Sequence, residues 1–185
     1  MTQRDRDAAL GRFLSLVLRH DPSAAGIRLD ANGWADVREL LAGCARAGKA
    51  IDFEALARIV RENDKQRYGF NEDRTKIRAN QGHSVGVDVE LPEAVPPDKL
   101  YHGTATRFLD GIRAQGIRPG ARRHVHLSAD RAAAVEVGRR HGRPLALHVD
   151  AAAMRLDGRR FYLSANGVWL CDEVPWRYVT VPEGE

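Results

Sequence analysis

Arginine and histidine stand side by side at three points of this chain, among them Arg19-His20 within LSLVLRHDP and Arg140-His141 within VGRRHG. A guanidinium stays protonated and presents a planar fork that matches phosphate oxygens two at a time, and an imidazole exchanges a proton near pH 7. Such pairs could grip an anion and move a proton beside it. Each also has an ordinary structural reading. Cations in the last turn of a helix interact favourably with its exposed carbonyls, by ~0.3–1 kcal/mol, and VGRRHG can be the charged end of a helix capped by Gly142. In DKQRYGF, Lys65 and Arg67 occupy alternate positions, so a strand would point both to one face, as it would at a solvated sheet edge. YHGT (101–104) and HLS (126–128) place His102, Gly103, Thr104 and Ser128 at strand ends. Small residues there let a ligand approach the backbone, and the hydroxyls suit a ribose or a carboxamide, although a structural histidine and a plain turn fit the same strings. QGHS (81–84) reads as a polar turn.

The elements that must position these residues follow from periodicity. Leu10, Phe13, Leu14, Val17 and Leu18 form one helical stripe that stops at Asp21-Pro22, which puts Arg19 and His20 in its last turn. A second helix is expected from Val37 to Ala47, closed by Gly48. A third follows Asp52 as N-cap, with Phe53, Leu56, Ala57 and Val60 inward. RYGFNEDRTKIRA has a hairpin pattern, with Tyr68 and Phe70 on one arm and Ile77 and Ala79 on the other. Three helices and a hairpin suggest a winged-helix-like lobe over 1–91. LPEAVPPDK carries three prolines and marks a linker at 92–99. Over 100–185 the short strands LYHGT, HVHLSA, PLALHVD, FYLS and VWLC alternate with helices at Arg107–Gln115 and Asp130–Arg140. The fold class expected is α+β, the second lobe carrying a curved, mostly antiparallel sheet.

Composition narrows the classes. The 185 residues are 43% hydrophobic and 29% charged, as in ordinary globular proteins. No apolar run approaches the ~20 residues of a membrane span, and the N-terminus leads into no signal-peptide core, so a cytoplasmic protein without membrane association is expected. Cys44 and Cys171 are distant and outside any CxxC, suggesting neither a disulfide framework nor a zinc site. The net charge of +4 is too mild to establish a nucleic-acid partner by itself. Walker, Rossmann, HExxH and GxSxG patterns are absent.

Taken together and in order, LSLVLRHDP, GWADVRELL, DKQRYGF, IRANQGHS, LYHGTATRFLDGI, GIRPGARRHVHLSAD, VGRRHG and ANGVWL resemble the RNA 2′-phosphotransferase family, from about Leu14 to Trp169. Each string is weak; eight in register are specific. The resemblance implies an NAD-dependent enzyme that removes a splice-junction 2′-phosphate from tRNA, with a winged-helix RNA lobe and a C-terminal lobe of the ADP-ribosyltransferase type. The family's Arg-His-Arg-Arg core carries over by motif to Arg19, His20, Arg67 and Arg140, the spacing to Gly142 favouring Arg140 over Arg139. His102, Gly103, Thr104 and Ser128 become the implied NAD contacts. Ala165 is a departure, standing where some members carry Glu.

The implied chemistry suits the residue types. A phosphomonoester carries about −1.5 to −2 charge near neutral pH, which Arg19, Arg67 and Arg140 could hold from several sides. The 2′-phosphate attacks C1 of the nicotinamide ribose and nicotinamide leaves. The neighbouring ribose 2-hydroxyl then attacks phosphorus, giving 2′-OH RNA and ADP-ribose 1″,2″-cyclic phosphate, with His20 transferring a proton in this second step. Lys65, Arg74, Lys76, Arg78 and His83, on or near the hairpin, could track the RNA backbone or form a solvated wing. No metal is required, and a monomer is expected. Two other readings are an ADP-ribosyltransferase that modifies phosphorylated nucleic-acid ends or a protein and stops after the first step, and a winged-helix DNA-binding regulator with a ligand-sensing lobe.

Overall fold

The computed structural model describes residues 2–182 and divides into two compact units, 1–90 and 91–185. Both are mixed α/β and built on small antiparallel sheets.

In the first unit α1 spans Gln3–Arg19, starting a turn or more before the apolar stripe. Thr2 explains the early start: its hydroxyl accepts the Asp5 amide while the Asp5 carboxylate accepts the Thr2 amide, a reciprocal cap. After a short 3₁₀ turn at Pro22–Ala25 come α2 (Val37–Arg46), capped by Asp36, and α3 (Phe53–Arg61), capped by Asp52. On α3 the fully inward residues are Leu56 and Ile59, with Phe53 and Val60 half-buried against the same core. The hairpin forms as expected, β2 (Tyr68–Phe70) against β3 (Lys76–Ala79), with Tyr68 opposite Ala79 and Phe70 opposite Ile77. A two-residue strand not anticipated from sequence, β1 (Ala35–Asp36), pairs with the far edge of β3, giving the order β1-β3-β2. Leu14, Val17, Leu18, Leu40, Leu56 and Ile77 are fully buried at the centre.

In the second unit the elements are β4 (Lys99–Ala105), α4 (Leu109–Gln115), β5 (Val125–Leu127), α5 (Arg131–Arg139), β6 (Pro144–Asp150), α6 (Ala151–Leu156), β7 (Tyr162–Leu163), β8 (Trp169–Cys171) and β9 (Val179–Thr180). Among the described residues every pairing is antiparallel, but the single curved sheet is replaced by two three-stranded sheets, β4-β6-β9 and β5-β8-β7. The reason is local. β5 is only three residues long, and beyond it β4 is met by one bridge, in which Tyr101 and Ser128 exchange backbone hydrogen bonds of 2.8 and 2.9 Å. α6 and β9 escaped the sequence reading; α6 starts with no break after β6, Asp150 capping it through the Ala153 amide. In the stretch expected as a linker, Pro92 accepts the Leu163 amide, Ala94 donates to Phe161, and Lys99 already opens β4.

Cys44 and Cys171 are buried in separate cores, and burial pushes the Cys171 thiol up to about 12. No helix among the described residues is long and apolar enough to cross a membrane.

Candidate active site

In the first unit the turn of α1 that buries Val17 and Leu18 carries Arg19 inward with them: Arg19 is only 7% exposed, whereas His20, the C-cap, is open to solvent. The Arg19 guanidinium lies one turn above Ser15, Nη1 to Oγ 3.5 Å. The Arg19 carbonyl, which would otherwise be an unsatisfied helix-end acceptor, takes the amides of Ser84 and Val85 at 2.9 and 3.3 Å. His20 Nδ1 lies 2.9 Å from Ser84 Oγ.

Arg67 immediately precedes β2 and is half-buried. Asn63 Oδ1 accepts both its amide (3.1 Å) and its Nη1 (3.3 Å). The Arg67 carbonyl accepts the Asn80 amide at 2.8 Å, and the Asn80 side chain donates to the Gln66 carbonyl at 2.6 Å. Gln66 sits at φ 42°, in the left-handed region, so these bonds hold a turn that an L-residue does not favour. The next residue joins the two arginines. Tyr68 is buried, its hydroxyl donating to the Gly11 carbonyl at 2.5 Å; burial pushes its pKa above the ordinary tyrosine value, while the charges of Arg19 and Arg67 both pull it down. The charges of both arginines therefore act on one buried phenol.

His83 departs from expectation. Instead of presenting a ring to RNA from a solvated wing, it is 5% exposed, and its Nε2 has no hydrogen-bond partner among the described residues. Burial first, then the charges of Arg19, His20 and Arg78, push it down to about 4, so the ring is neutral at physiological pH. The other wing residues divide. Lys76 pairs with Asp30 at 3.1 Å, and Arg78 lies over the Trp34 ring at 4.3 Å. Arg74 is exposed at the hairpin turn with φ 56°, and Lys65 is exposed at the entry to β2. An open groove of about 620 Å³ runs along α1 and α3, with Arg12, Arg58, Asn63, Lys65 and Arg67 among its lining.

In the second unit, His102 on β4 is half-buried and hydrogen-bonds through Nδ1 to the His126 carbonyl at 3.1 Å. A carbonyl can only accept, so Nδ1 carries the proton. Burial lowers this imidazole below its ordinary range, against the opposing pull of that hydrogen bond, which leaves a neutral ring with Nε2 as acceptor. Gly103 and Thr104 follow on the strand; Thr104 is 6% exposed. Ser128 Oγ accepts the Asp130 amide at 3.0 Å, in the turn that starts α5. Arg140 is the exposed C-cap of α5, while its neighbour Arg139 forms an ion pair with Glu136 one turn back. Ala165 lies exposed in the turn between β7 and β8. Among the described residues no three His, Cys, Asp or Glu side chains are placed to hold a metal ion.

Sequence reasoning missed Asn63, Tyr68, Asn80 and Ser84 as parts of this arrangement. IRANQGHS held a signal: its polar residues directly follow a strand that pairs with the one beginning after Arg67.

Comparison with known proteins accounts for most of the chain. The model of the RNA 2′-phosphotransferase, Tpt1 / KptA family matches residues 5–173. A protein of Hahella chejuensis described as a probable RNA 2′-phosphotransferase is 55% identical over 177 residues, covering 94% of this chain and 95% of that protein. Proteins described in the same words from Agrobacterium fabrum and Pseudomonas paraeruginosa are 54% and 56% identical, covering 94% and 91% of this chain and 93% of each relative.

Proposed function

We infer the reaction from one premise: this chain belongs to the RNA 2′-phosphotransferase, Tpt1 / KptA family, and is accordingly a transferase acting on RNA. The acceptor we propose is NAD. A non-bridging oxygen of the RNA 2′-phosphate forms a bond to C1 of the nicotinamide ribose as the C–N bond breaks, and nicotinamide leaves with the electron pair. The ribose 2-hydroxyl then attacks phosphorus. Its proton is lost, the bond to the RNA 2′-oxygen breaks, and that oxygen gains a proton. The products are 2′-OH RNA, nicotinamide and ADP-ribose 1″,2″-cyclic phosphate.

We assign Arg19, Arg67 and Arg140 to the 2′-phosphate and His20 to proton transfer in the second step. In the first step charge builds on the ribose and the task is alignment; in the second it shifts among phosphoryl oxygens, where guanidinium groups stabilise it. The observation that supports this assignment is that one five-residue segment is bonded to both arginines, Asn80 to the Arg67 carbonyl and Ser84 to the Arg19 carbonyl, with His20 one residue from Arg19. The choice of Arg140 over Arg139 is supported by the ion pair that already occupies Arg139. NAD is assigned to the second unit, read as an ADP-ribosyltransferase-like lobe: a neutral His102 whose Nε2 accepts can take a ribose hydroxyl, beside the backbone of Gly103 and Thr104 and the hydroxyl of Ser128. The first unit is read as a winged-helix-like RNA lobe, with Lys65, Arg74 and Arg78 toward the RNA backbone and the groove beside Arg67 as the path of the flanking strand.

The test is incubation with NAD and an oligonucleotide bearing one internal 2′-phosphate, followed by mass analysis. Loss of the phosphate with release of the cyclic product is expected. A persistent ADP-ribosyl adduct would identify an enzyme that stops after the first step, and no NAD consumption would overturn the reading.

A further inference from the structure

The segment Asn80–Ser84 touches both halves of the cationic cluster in the first unit. Its first residue holds the turn into Arg67, through the Asn80 amide to the Arg67 carbonyl (2.8 Å) and the Asn80 side chain to the Gln66 carbonyl (2.6 Å). Its last residue holds the end of α1, through the Ser84 amide to the Arg19 carbonyl (2.9 Å) and the Ser84 hydroxyl at His20 Nδ1 (2.9 Å). Between them the His83 ring is buried, 5% exposed, near enough to Arg19 and His20 to feel both charges. Five residues thus set the spacing between a strand arginine and a helix-end Arg-His pair that are otherwise more than forty residues apart in sequence.

We propose that Ser84 is a positioning residue for the phosphotransfer, orienting the His20 ring through Nδ1 so that Nε2 is the atom offered to the reacting hydroxyl. This rests on the assignment of His20 given above. An imidazole ring is set by two side-chain torsions, which a hydrogen bond at Nδ1 helps to fix, and productive proton transfer needs the heavy atoms within about 2.6–3.2 Å. A hydroxyl suits the role for two chemical reasons. It both donates and accepts, so the contact survives whichever nitrogen carries the proton in the neutral ring and also survives in the imidazolium. It is also uncharged, so it steadies the ring without placing a carboxylate beside a site that must receive a dianion. The backbone bonds to Arg19 do not depend on the side chain, so removing the hydroxyl leaves the clamp on α1 in place.

The test compares Ser84→Ala, His20→Ala and the double variant in the full chain, with each step timed separately on 2′-phosphorylated RNA and NAD. Ser84→Ala is expected to slow the second step about 10-fold or more, so that the ADP-ribosylated RNA accumulates, to change the pH profile of that step, and to leave KM for the RNA within about twofold. Ser84→Thr, which keeps the hydroxyl, should restore most of the rate. In the double variant Ser84→Ala should cost nothing beyond His20→Ala, because a residue acting only through His20 has nothing left to act on. Additive losses, or an unchanged second step in Ser84→Ala, would overturn the proposal while leaving the reaction itself intact. A wild-type chain that fails to transfer phosphate would instead strike the reading on which the proposal rests.

Discussion

A methyl group placed on Gly103 would lie 2.0 Å from the carbonyl oxygen of Ala134. A Cβ on Gly138 would lie 2.3 Å from the carbonyl oxygen of Thr104. The two glycines mesh: each lets the backbone of the other's element approach, and together they dock α5 onto β4. Gly103 is therefore fixed by helix packing, whatever ligand the strand end also meets. Gly103→Ala is expected to destabilise the second unit by ~3 kcal/mol or more, at or above the usual range for overpacking, because backbone rather than a flexible side chain obstructs the methyl. A lower urea midpoint for the variant checks this; a midpoint equal to wild type would show that α5 can move away at no cost.

Arg139 and Arg140 are adjacent but not equivalent. Arg139 is engaged with Glu136, while Arg140 stands at the helix cap. Arg140→Ala should lower the phosphotransfer rate by ~10²–10³, the loss typical of removing one group that stabilises transition-state charge. Arg139→Ala should stay within a few-fold of wild type. Steady-state kinetics on 2′-phosphorylated RNA distinguishes them, and the reverse ranking would move the fourth core position to Arg139.

His83 makes stability depend on pH. Its folded pKa of about 4 lies below the unfolded 6.5, so between these values the unfolded chain binds a proton that the folded chain refuses. Stability from this group is complete above pH 6.5 and is lost as pH falls toward 4, by up to about 3 kcal/mol at 1.36 kcal/mol per unit. His83→Gln removes the titration. Urea unfolding at pH 7 and pH 4.5 should show a smaller drop for the variant than for wild type, even if the variant starts lower.

Arg74 combines an exposed cation with a left-handed backbone, φ 56°. Asparagine tolerates that conformation better than most residues. Arg74→Asn should therefore hold or slightly raise thermal stability while removing one positive charge from the turn. If that charge meets an RNA phosphate, the log–log salt slope of RNA binding becomes shallower by about 0.7 for single-stranded RNA. An unchanged slope would remove Arg74 from the RNA contacts.

Much of the frame was legible because it is local. The stripe Leu14, Val17, Leu18 located α1, Asp52 located the start of α3, and the alternation around Tyr68 and Ile77 located the hairpin. The failures are of another kind. Thr2 and Asp5 cap each other through polar contacts that precede any apolar signal, and Ala151 continues from a strand with no turn residue to announce α6. A two-residue strand such as β1 exists only because β3 lies beside it. The proposed site residues were chosen by type and by order along the chain, but the contacts around them were not legible there: a serine in QGHS gains meaning only when folding brings it to His20, sixty-four positions away. The burial of His83 and Arg19 runs against the ordinary preference of charged and titratable side chains for solvent and had no local sign.

Arg19 and His20 stand at the C-terminal end of α1, the pole of a helix that repels anions, whereas phosphate-binding proteins often use the opposite pole and its free amides. Here the amides of Ser84 and Val85 are spent on quenching the Arg19 carbonyl. Those two amides are thereby turned away from any negative guest, and on the assignment proposed above the hold of this unit on the 2′-phosphate rests on side chains that a single codon change can delete.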